Sequence, residues 1–144
     1  MTNLTQTPMA HGQTTSGHKI HLTHLASGAH ISTTPPKDNQ GDGSCFSPTD
    51  LMATSLGACA TTIMSLYAQQ HQIPLDSIEF KVVKIMQPAP RKIKEIQVHY
   101  ILKTTCTQAQ FEALKKTAAT CPVRLSLNPE MIVLEQFERH PSLF

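Results

Sequence analysis

Two of the four cysteines, Cys59 and Cys121, lie in settings that favour sulfur chemistry. Cys59 lies within residues 56–60, Leu-Gly-Ala-Cys-Ala, where small neighbours leave room for another part of the molecule to approach the sulfur. Cys121 directly precedes Pro122 at a predicted helix start, where unpaired backbone N–H groups and the positive end of the helix dipole lower the pKa of a thiol. Each also has a simpler interpretation, Cys59 as a small buried apolar side chain and Cys121 as a packing residue at a helix break.

The remaining candidates for chemistry are weaker. Cys45 lies in a glycine-rich loop and Cys106 at the end of a strand, and neither setting indicates a function. The cysteines do not show the short paired spacing of zinc sites. His18, His21 and His24 recur every three residues, but on a strand the middle side chain points away from the other two. We therefore predict no metal site.

Residues 47–50, Ser-Pro-Thr-Asp, predict the start of a long helix. Ser47 can cap it, Pro48 suits the first helical position, and Asp50 complements the positive end of the helix dipole. The helix is expected to run to about His71, and no Asp, Glu, Lys or Arg follows Asp50 within it. Such an apolar helix belongs at the centre of the fold, although its many Thr, Ser and Gln side chains argue against a membrane span.

The rest of the chain predicts paired strands and a second helix. Alternation of apolar and polar residues, together with turn signals, predicts strands at 18–25, 29–34, 78–82, 96–102 and 131–137. Residues 107–110, Thr-Gln-Ala-Gln, have the form of a capping box and predict a second helix that ends before Cys121. Two strands, a helix, two strands, a helix and a strand, in that order, predict an α+β fold.

Composition limits the possible classes of protein. The chain has 144 residues, is 40% hydrophobic and 15% charged, and carries a formal net charge of +2. We expect one domain at 18–144 after a flexible N-terminal segment at 1–17. The polar opening residues lack the pattern of an export signal, which predicts a cytoplasmic protein. The basic residues between 81 and 103 lack the interleaved aromatic side chains of nucleic-acid-binding surfaces, so we expect no nucleic-acid partner.

Four short segments together resemble one known family. They are 47–51 (Ser-Pro-Thr-Asp-Leu), 56–59 (Leu-Gly-Ala-Cys), 90–93 (Pro-Arg-Lys-Ile) and 121–123 (Cys-Pro-Val). Their order and settings resemble the osmotically inducible protein C (OsmC) and organic hydroperoxide resistance (Ohr) proteins, over roughly residues 18–138. The resemblance implies an OsmC-like α+β fold with antiparallel sheets and two main helices, the long central one carrying Cys59. It also implies an intertwined homodimer, with its central helices back to back and its sites at the subunit interface.

The resemblance also implies a reaction. In the peroxidatic members, the helix cysteine attacks the O–O bond of an organic hydroperoxide and becomes a sulfenic acid, which the cysteine before the proline converts to a disulfide. By position, Cys59 would be the peroxidatic cysteine and Cys121 the resolving cysteine. An external dithiol would reduce the disulfide, and no metal or organic cofactor would be needed. Apolar walls around one reactive sulfur would favour bulky organic hydroperoxides over hydrogen peroxide.

The sequence departs from the family in the residues that activate the thiol. The hydroperoxide resistance proteins carry a Glu after the proline that opens the helix and an Arg in the N-terminal region, a pair that favours the thiolate. Here Thr49 takes the position of the Glu, Asp50 follows it, and the first arginine is Arg91 in the basic hairpin. These three residues are the candidates for activating or orienting the thiol, Arg91 across the dimer if necessary. The departures leave open a second function, a non-catalytic dimer that binds a small apolar or thiol-reactive ligand in the same cleft.

Overall fold

The long helix begins where the sequence predicts it. In the computed structural model, which describes residues 5–142, helix α1 spans Pro48–Gln70. The Asp50 N–H donates to Ser47 Oγ at 3.1 Å, and the Ser47 N–H donates to Asp50 Oδ2 at 2.8 Å. These reciprocal bonds satisfy backbone donors that a helix start leaves unpaired. The helix ends one residue before the predicted end at His71.

Three strands form a sheet in the C-terminal part of the chain. Strands β4 (Ser77–Pro88) and β5 (Arg91–Lys103) pair antiparallel, as the alternation predicts, and are longer than predicted. Strand β6 (Ile132–His140) pairs with β5 in parallel, which differs from the expectation of antiparallel sheets. The reason is the helical connection after β5, because a chain that crosses over through helices can return in the same direction.

That connection contains two helices. Helix α2 spans Gln108–Ala118, and both hydrogen bonds of the predicted capping box between Thr107 and Gln110 are present. Helix α3 is a short segment, Pro122–Ser126, with Cys121 as its N-cap residue and proline in its first turn. The prediction that Cys121 lies at a helix start is confirmed.

A second sheet lies in the N-terminal part of the chain. Strands β1 (Ala10–Thr14), β2 (Ile20–His24) and β3 (His30–Thr33) pair antiparallel in that order. The hairpin of β2 and β3 was expected, whereas β1 lies inside the segment 1–17 for which the sequence predicts a loose terminus. Residues 10–14 instead pair with β2, from Ala10 opposite His24 to Thr14 opposite Ile20. Residues 1–4 of that segment lie outside the described residues.

The chain divides into two compact units, Met1–Leu51 and Met52–Phe144. Within residues 5–142, every side chain of the buried hydrophobic core comes from the second unit. From α1 the core takes the face made of Ala53, Leu56, Gly57, Ala60, Met64 and Ala68. Because these positions recur every three or four residues, they form one stripe along the helix.

Gly57 allows α1 to lie close to strand β4. A Cβ atom placed on Gly57 would lie 2.4 Å from Cδ2 of Phe80, closer than any side chain can approach. Phe80 in turn lies beside Tyr100 of β5, with 6.5 Å between ring centroids. The glycine therefore sets the distance between the helix that carries Cys59 and the sheet.

We expect Gly57→Ala to destabilise the protein, although alanine is the better helix former by about 1 kcal/mol. Overpacking against Phe80 should lower the free energy of unfolding by about 1–3 kcal/mol, measured by urea denaturation. The matched control is Gly57→Ala combined with Phe80→Leu, in which the smaller side chain makes room. If Gly57→Ala lowers the free energy of unfolding equally with Phe80 and with Leu at position 80, the close contact between Gly57 and Phe80 is contradicted.

Candidate active site

The two cysteines singled out by the sequence differ in exposure. Cys59 lies in the middle of α1 and is partly buried, packed against the hydrophobic core. Cys121 precedes α3 and is fully buried, with 0% of its surface exposed. Of the two sulfurs, Cys59 is therefore the one that a reagent can reach more easily.

The structure brings these two thiols together, although they lie on different helical segments. Cys59 lies close enough to Cys121 to raise the pKa of the Cys121 thiol. Both cysteines are free, with no disulfide between them. Forming a disulfide between these neighbours requires Cα atoms about 4.4–6.8 Å apart.

The helix start acts on Cys121 as predicted, but it does not decide the pKa. The backbone N–H of Arg124 donates to Cys121 Sγ at 3.3 Å, and this bond lowers the pKa. Burial raises the pKa of the thiol more strongly, and the neighbouring Cys59 and Glu135 raise it as well. The helix start therefore lowers the pKa as expected, but the net pKa is raised, because loss of solvation outweighs one hydrogen bond.

A partly buried ion pair lies beside Cys121. The guanidinium of Arg124 contacts the carboxylate of Glu135 on β6, and only 29% and 10% of the two side chains are exposed. The hydroxyl of Tyr100 on β5 donates to the other Glu135 oxygen at 3.2 Å. The carboxylate thus has a partner on each oxygen, as a charge in a low-dielectric interior requires.

Tyr100 is the aromatic centre of this network. Its side chain is fully buried and its ring stacks on Phe137 with 4.9 Å between centroids. Burial raises the pKa of its hydroxyl well above the ordinary value, and the adjacent Glu135 charge raises it further. Tyr100 is therefore a neutral hydrogen-bond donor throughout the physiological pH range.

Thr49 and Asp50 lie in the first turn of α1, where their contacts are those of a helix cap. Thr49 Oγ1 lies 3.1 Å from Ser47 Oγ, and the Asp50 carboxylate accepts the Ser47 N–H. These contacts give both residues a role in starting the helix. Their predicted role in orienting a thiol stays a prediction.

Arg91 opens strand β5 opposite Pro88, at the exposed end of the hairpin. It lies nine positions before Tyr100, which is about 30 Å along an extended strand. That distance is too great for Arg91 to contact the Tyr100 network within its own chain. The prediction that Arg91 reaches a site across a dimer is not tested by a single chain.

The other residues weighed in the sequence lie apart from this site. Cys45 Sγ lies 3.7 Å from the Thr34 hydroxyl, and Cys106 is buried, with its carbonyl accepting from Arg139. His21 and His24 contact serine hydroxyls of the N-terminal sheet. Across residues 5–142, no three His, Cys, Asp or Glu side chains are grouped as a metal site would require.

Arg124, Glu135 and Tyr100 were not among the residues predicted from the sequence. One signal was available, because Glu135 shares its side of β6 with Val133 and Phe137, which pack against the core. A carboxylate on the inward side of a strand needs a buried partner. The sequence does not show which cation supplies it, since Arg124 is brought there by the path of α3.

We expect Tyr100→Phe to lower the free energy of unfolding by about 1–3 kcal/mol, because the ring stays in place while the buried Glu135 carboxylate loses a donor. Urea denaturation measures the change. Tyr67→Phe is the control, since Tyr67 is partly buried on α1 and its ring contact with His71 survives loss of the hydroxyl. Equal costs for the two substitutions would contradict a specific role for the Tyr100 hydroxyl.

Helix α1 also meets the length and hydropathy of a membrane span, with a mean hydropathy of 1.3 and 33% of the window buried. The core helix of a soluble protein passes the same test, so this observation is weak evidence for a membrane.

Several solved structures share this fold. A protein from Psychrobacter arcticus 273-4, described as an osmotic stress induced and detoxification response protein, is 30% identical, with a TM-score of 0.86 over 95% of this chain and 98% of that one. An organic hydroperoxide resistance protein OsmC from Legionella pneumophila is 19% identical, with a TM-score of 0.70 over 94% and 99%. The organic hydroperoxide resistance protein OhrB of Bacillus subtilis is 18% identical, with a TM-score of 0.61 over 91% and 96%.

No curated protein sequence matches the chain significantly. The model of the OsmC-like protein family, by contrast, matches residues 41–135, a segment that includes both cysteines and most of the elements around them. The α+β arrangement of two sheets and two main helices is the one seen in the structures of this family. The chain therefore belongs to the OsmC-like protein family.

Proposed function

We propose that this protein is a thiol peroxidase that reduces organic hydroperoxides, with Cys59 as the nucleophile and Cys121 as the resolving thiol. The observation that carries the proposal is the position of Cys59 beside Cys121 within one chain, close enough to raise the pKa of the Cys121 thiol. Membership in the OsmC-like family and the similarity to proteins named for organic hydroperoxide resistance support a role in peroxide resistance.

The reaction needs only the two sulfurs, the peroxide and an external reductant. The Cys59 thiolate attacks one peroxide oxygen, the O–O bond breaks, and the leaving alkoxide takes a proton to become an alcohol. Cys121 then attacks the sulfenic acid sulfur, forming the disulfide and releasing water with the Cys121 proton. An external dithiol reduces the disulfide and is itself oxidised to a disulfide. No metal or organic cofactor enters the cycle.

The difference in exposure assigns the order of the two thiols. A peroxide must reach the first sulfur from solvent, and Cys59 is partly exposed while Cys121 has 0% exposure. The raised pKa of Cys121 keeps it a thiol at neutral pH. A protonated and buried thiol is a poor first nucleophile, but it can attack a sulfenic acid formed next to it.

Apolar surroundings favour an organic substrate. Cys59 packs among aliphatic and aromatic side chains of the core, and Met52 and Leu66 on the same helix are 43% and 48% exposed. An alkyl or aryl group on the peroxide gains free energy by covering such surface, whereas hydrogen peroxide has no apolar part. We therefore propose bulky organic hydroperoxides as the substrates and the cytoplasm as the place of action.

A homodimer would cover apolar surface that one chain leaves exposed. Helix α1 is apolar, yet only 33% of its most hydrophobic window is buried. In the sheet of β1, β2 and β3, Thr33 is the single buried side chain, and Met9 and Ile31 line an apolar groove of about 310 Å³ on it. A three-stranded sheet with no core of its own needs a partner surface to be stable.

We expect the purified protein to sediment at twice its chain mass of 15.8 kDa, because two copies can bury these surfaces against each other. Analytical ultracentrifugation at micromolar concentration measures the mass. Substituting the exposed Ile31 with Asp should weaken the dimer, while Asn39→Asp in the exposed loop after β3 adds the same negative charge and serves as the control. A stable monomer of the unmodified chain would contradict the proposed assembly.

The peroxidase proposal predicts different outcomes for the two cysteines. Cys59→Ser should abolish reduction of an organic hydroperoxide, because the nucleophile is lost. Cys121→Ser should leave a single turnover and a sulfenic acid on Cys59, which a dimedone-type reagent traps for mass spectrometry. Cys45→Ser is the matched control, since Cys45 is also free and partly exposed but contacts Thr34.

Full activity in Cys59→Ser would overturn the proposal. So would the absence of a Cys59–Cys121 disulfide after one equivalent of organic hydroperoxide, which peptide mapping measures directly. The second function predicted from the sequence, binding of a small apolar or thiol-reactive ligand, would then be tested by native mass spectrometry of the purified protein.

A further inference from the structure

We propose that Arg124 and Glu135 are positioning residues of the two-thiol site, which hold Cys121 in place as the second thiol to react. The proposal rests on the peroxidase function proposed above and assigns a role to residues for which the family pattern in the sequence gives none. Neither side chain is placed to be the nucleophile. Both act on the chemistry through Cys121.

The geometry links the ion pair directly to the sulfur. Arg124 makes two contacts at once, because its backbone N–H donates to Cys121 Sγ at 3.3 Å while its guanidinium pairs with Glu135. Glu135 is fixed on β6 and is held from its other side by the Tyr100 hydroxyl at 3.2 Å. The turn that carries Cys121 is thereby attached to two neighbouring strands, and the sulfur cannot move without breaking buried polar contacts.

The charges of the pair act on Cys121 in opposite directions. The negative charge of Glu135 disfavours a second negative charge on the nearby sulfur, and the positive charge of Arg124 favours it. In a site where only 10% of the Glu135 side chain is exposed, solvent screens these effects weakly. The effect of Glu135 agrees with the direction of the Cys121 pKa. Burial raises that pKa most, and the neighbouring Cys59 and Glu135 raise it too.

The sequence lacks the charged pair that activates the thiol in the hydroperoxide resistance proteins. The chain has Thr49 where its hydroperoxide-reducing relatives carry a Glu, and it has no arginine before Arg91. A partly buried carboxylate and guanidinium are nevertheless present in the site, supplied by β6 and α3 and placed beside the second cysteine. The pair therefore controls the thiol that closes the disulfide.

The test follows the ionisation midpoint of the Cys121 thiol by NMR, from the pH dependence of the Cys121 Cβ chemical shift in the reduced full-length protein, with Cys121→Ser to assign the signal. Glu135→Gln should shift the midpoint to lower pH, and Arg124→Gln should shift it to higher pH, each on the order of one pH unit. Arg124→Lys should lie closer to the unmodified protein than Arg124→Gln, because it keeps the positive charge. If the substitutions only loosened the structure, Glu135→Gln and Arg124→Gln would shift the Cys121 midpoint in the same direction.

Glu138→Gln is the matched control, since Glu138 lies on the same strand and its exposed carboxylate pairs with His99 and His140. It should leave the midpoint unchanged. If either single variant fails to fold, the double variant Arg124→Gln with Glu135→Gln removes both charges and should lie between the two expected midpoints. Shifts in the same direction, or no shift in any variant, would overturn the proposal.

This measurement needs no peroxide, so its result is independent of the peroxidase proposal. A missing disulfide after peroxide treatment would count against the function alone. Unshifted midpoints in a protein that still forms the disulfide would count against the role of Arg124 and Glu135 alone.

Discussion

The carboxylate of Glu135 places a charge inside the C-terminal unit, and much of the site depends on how that charge is compensated. An unpaired buried carboxylate would cost several kcal/mol, so a cation and further donors must come to it. Arg124 supplies the cation and Tyr100 the hydroxyl. Because Arg124 lies three residues after Cys121, satisfying this charge also fixes the turn that carries the buried thiol.

The path of the chain makes this compensation possible. Strand β6 is parallel to β5, so α2 and α3 must cross from one end of the sheet to the other before β6 begins. That crossover delivers Cys121 to the core next to α1, where Cys59 lies. Gly57 removes the side chain that would separate α1 from Phe80. Two thiols that are distant in sequence become neighbours through backbone topology and one close contact.

The two units differ in how much of their apolar surface they bury. The C-terminal unit supplies the hydrophobic core of the described residues, whereas the N-terminal sheet leaves Met9, Leu25 and Ile31 at least half exposed. Helix α1 carries no charged side chain after Asp50, and only 33% of its most hydrophobic window is buried. Surfaces of this kind carry a free-energy cost in water, which association with another copy would remove.

The sequence by itself determined the local features: the capped start of α1, the capping box of α2, Cys121 before α3, and the residues that identify the OsmC-like family. These features depend on interactions between residues a few positions apart, which spacing and residue type reveal. The sequence did not predict β1, because the strand is exposed along its whole length and carries no large apolar side chain. It did not predict that β6 is parallel to β5, because the direction of a strand depends on the whole crossover before it. Only the tertiary structure decided that burial raises the pKa of Cys121 and that Arg124, Glu135 and Tyr100 meet beside it. Solvation and charge pairing depend on residues from separate elements, which no local pattern specifies.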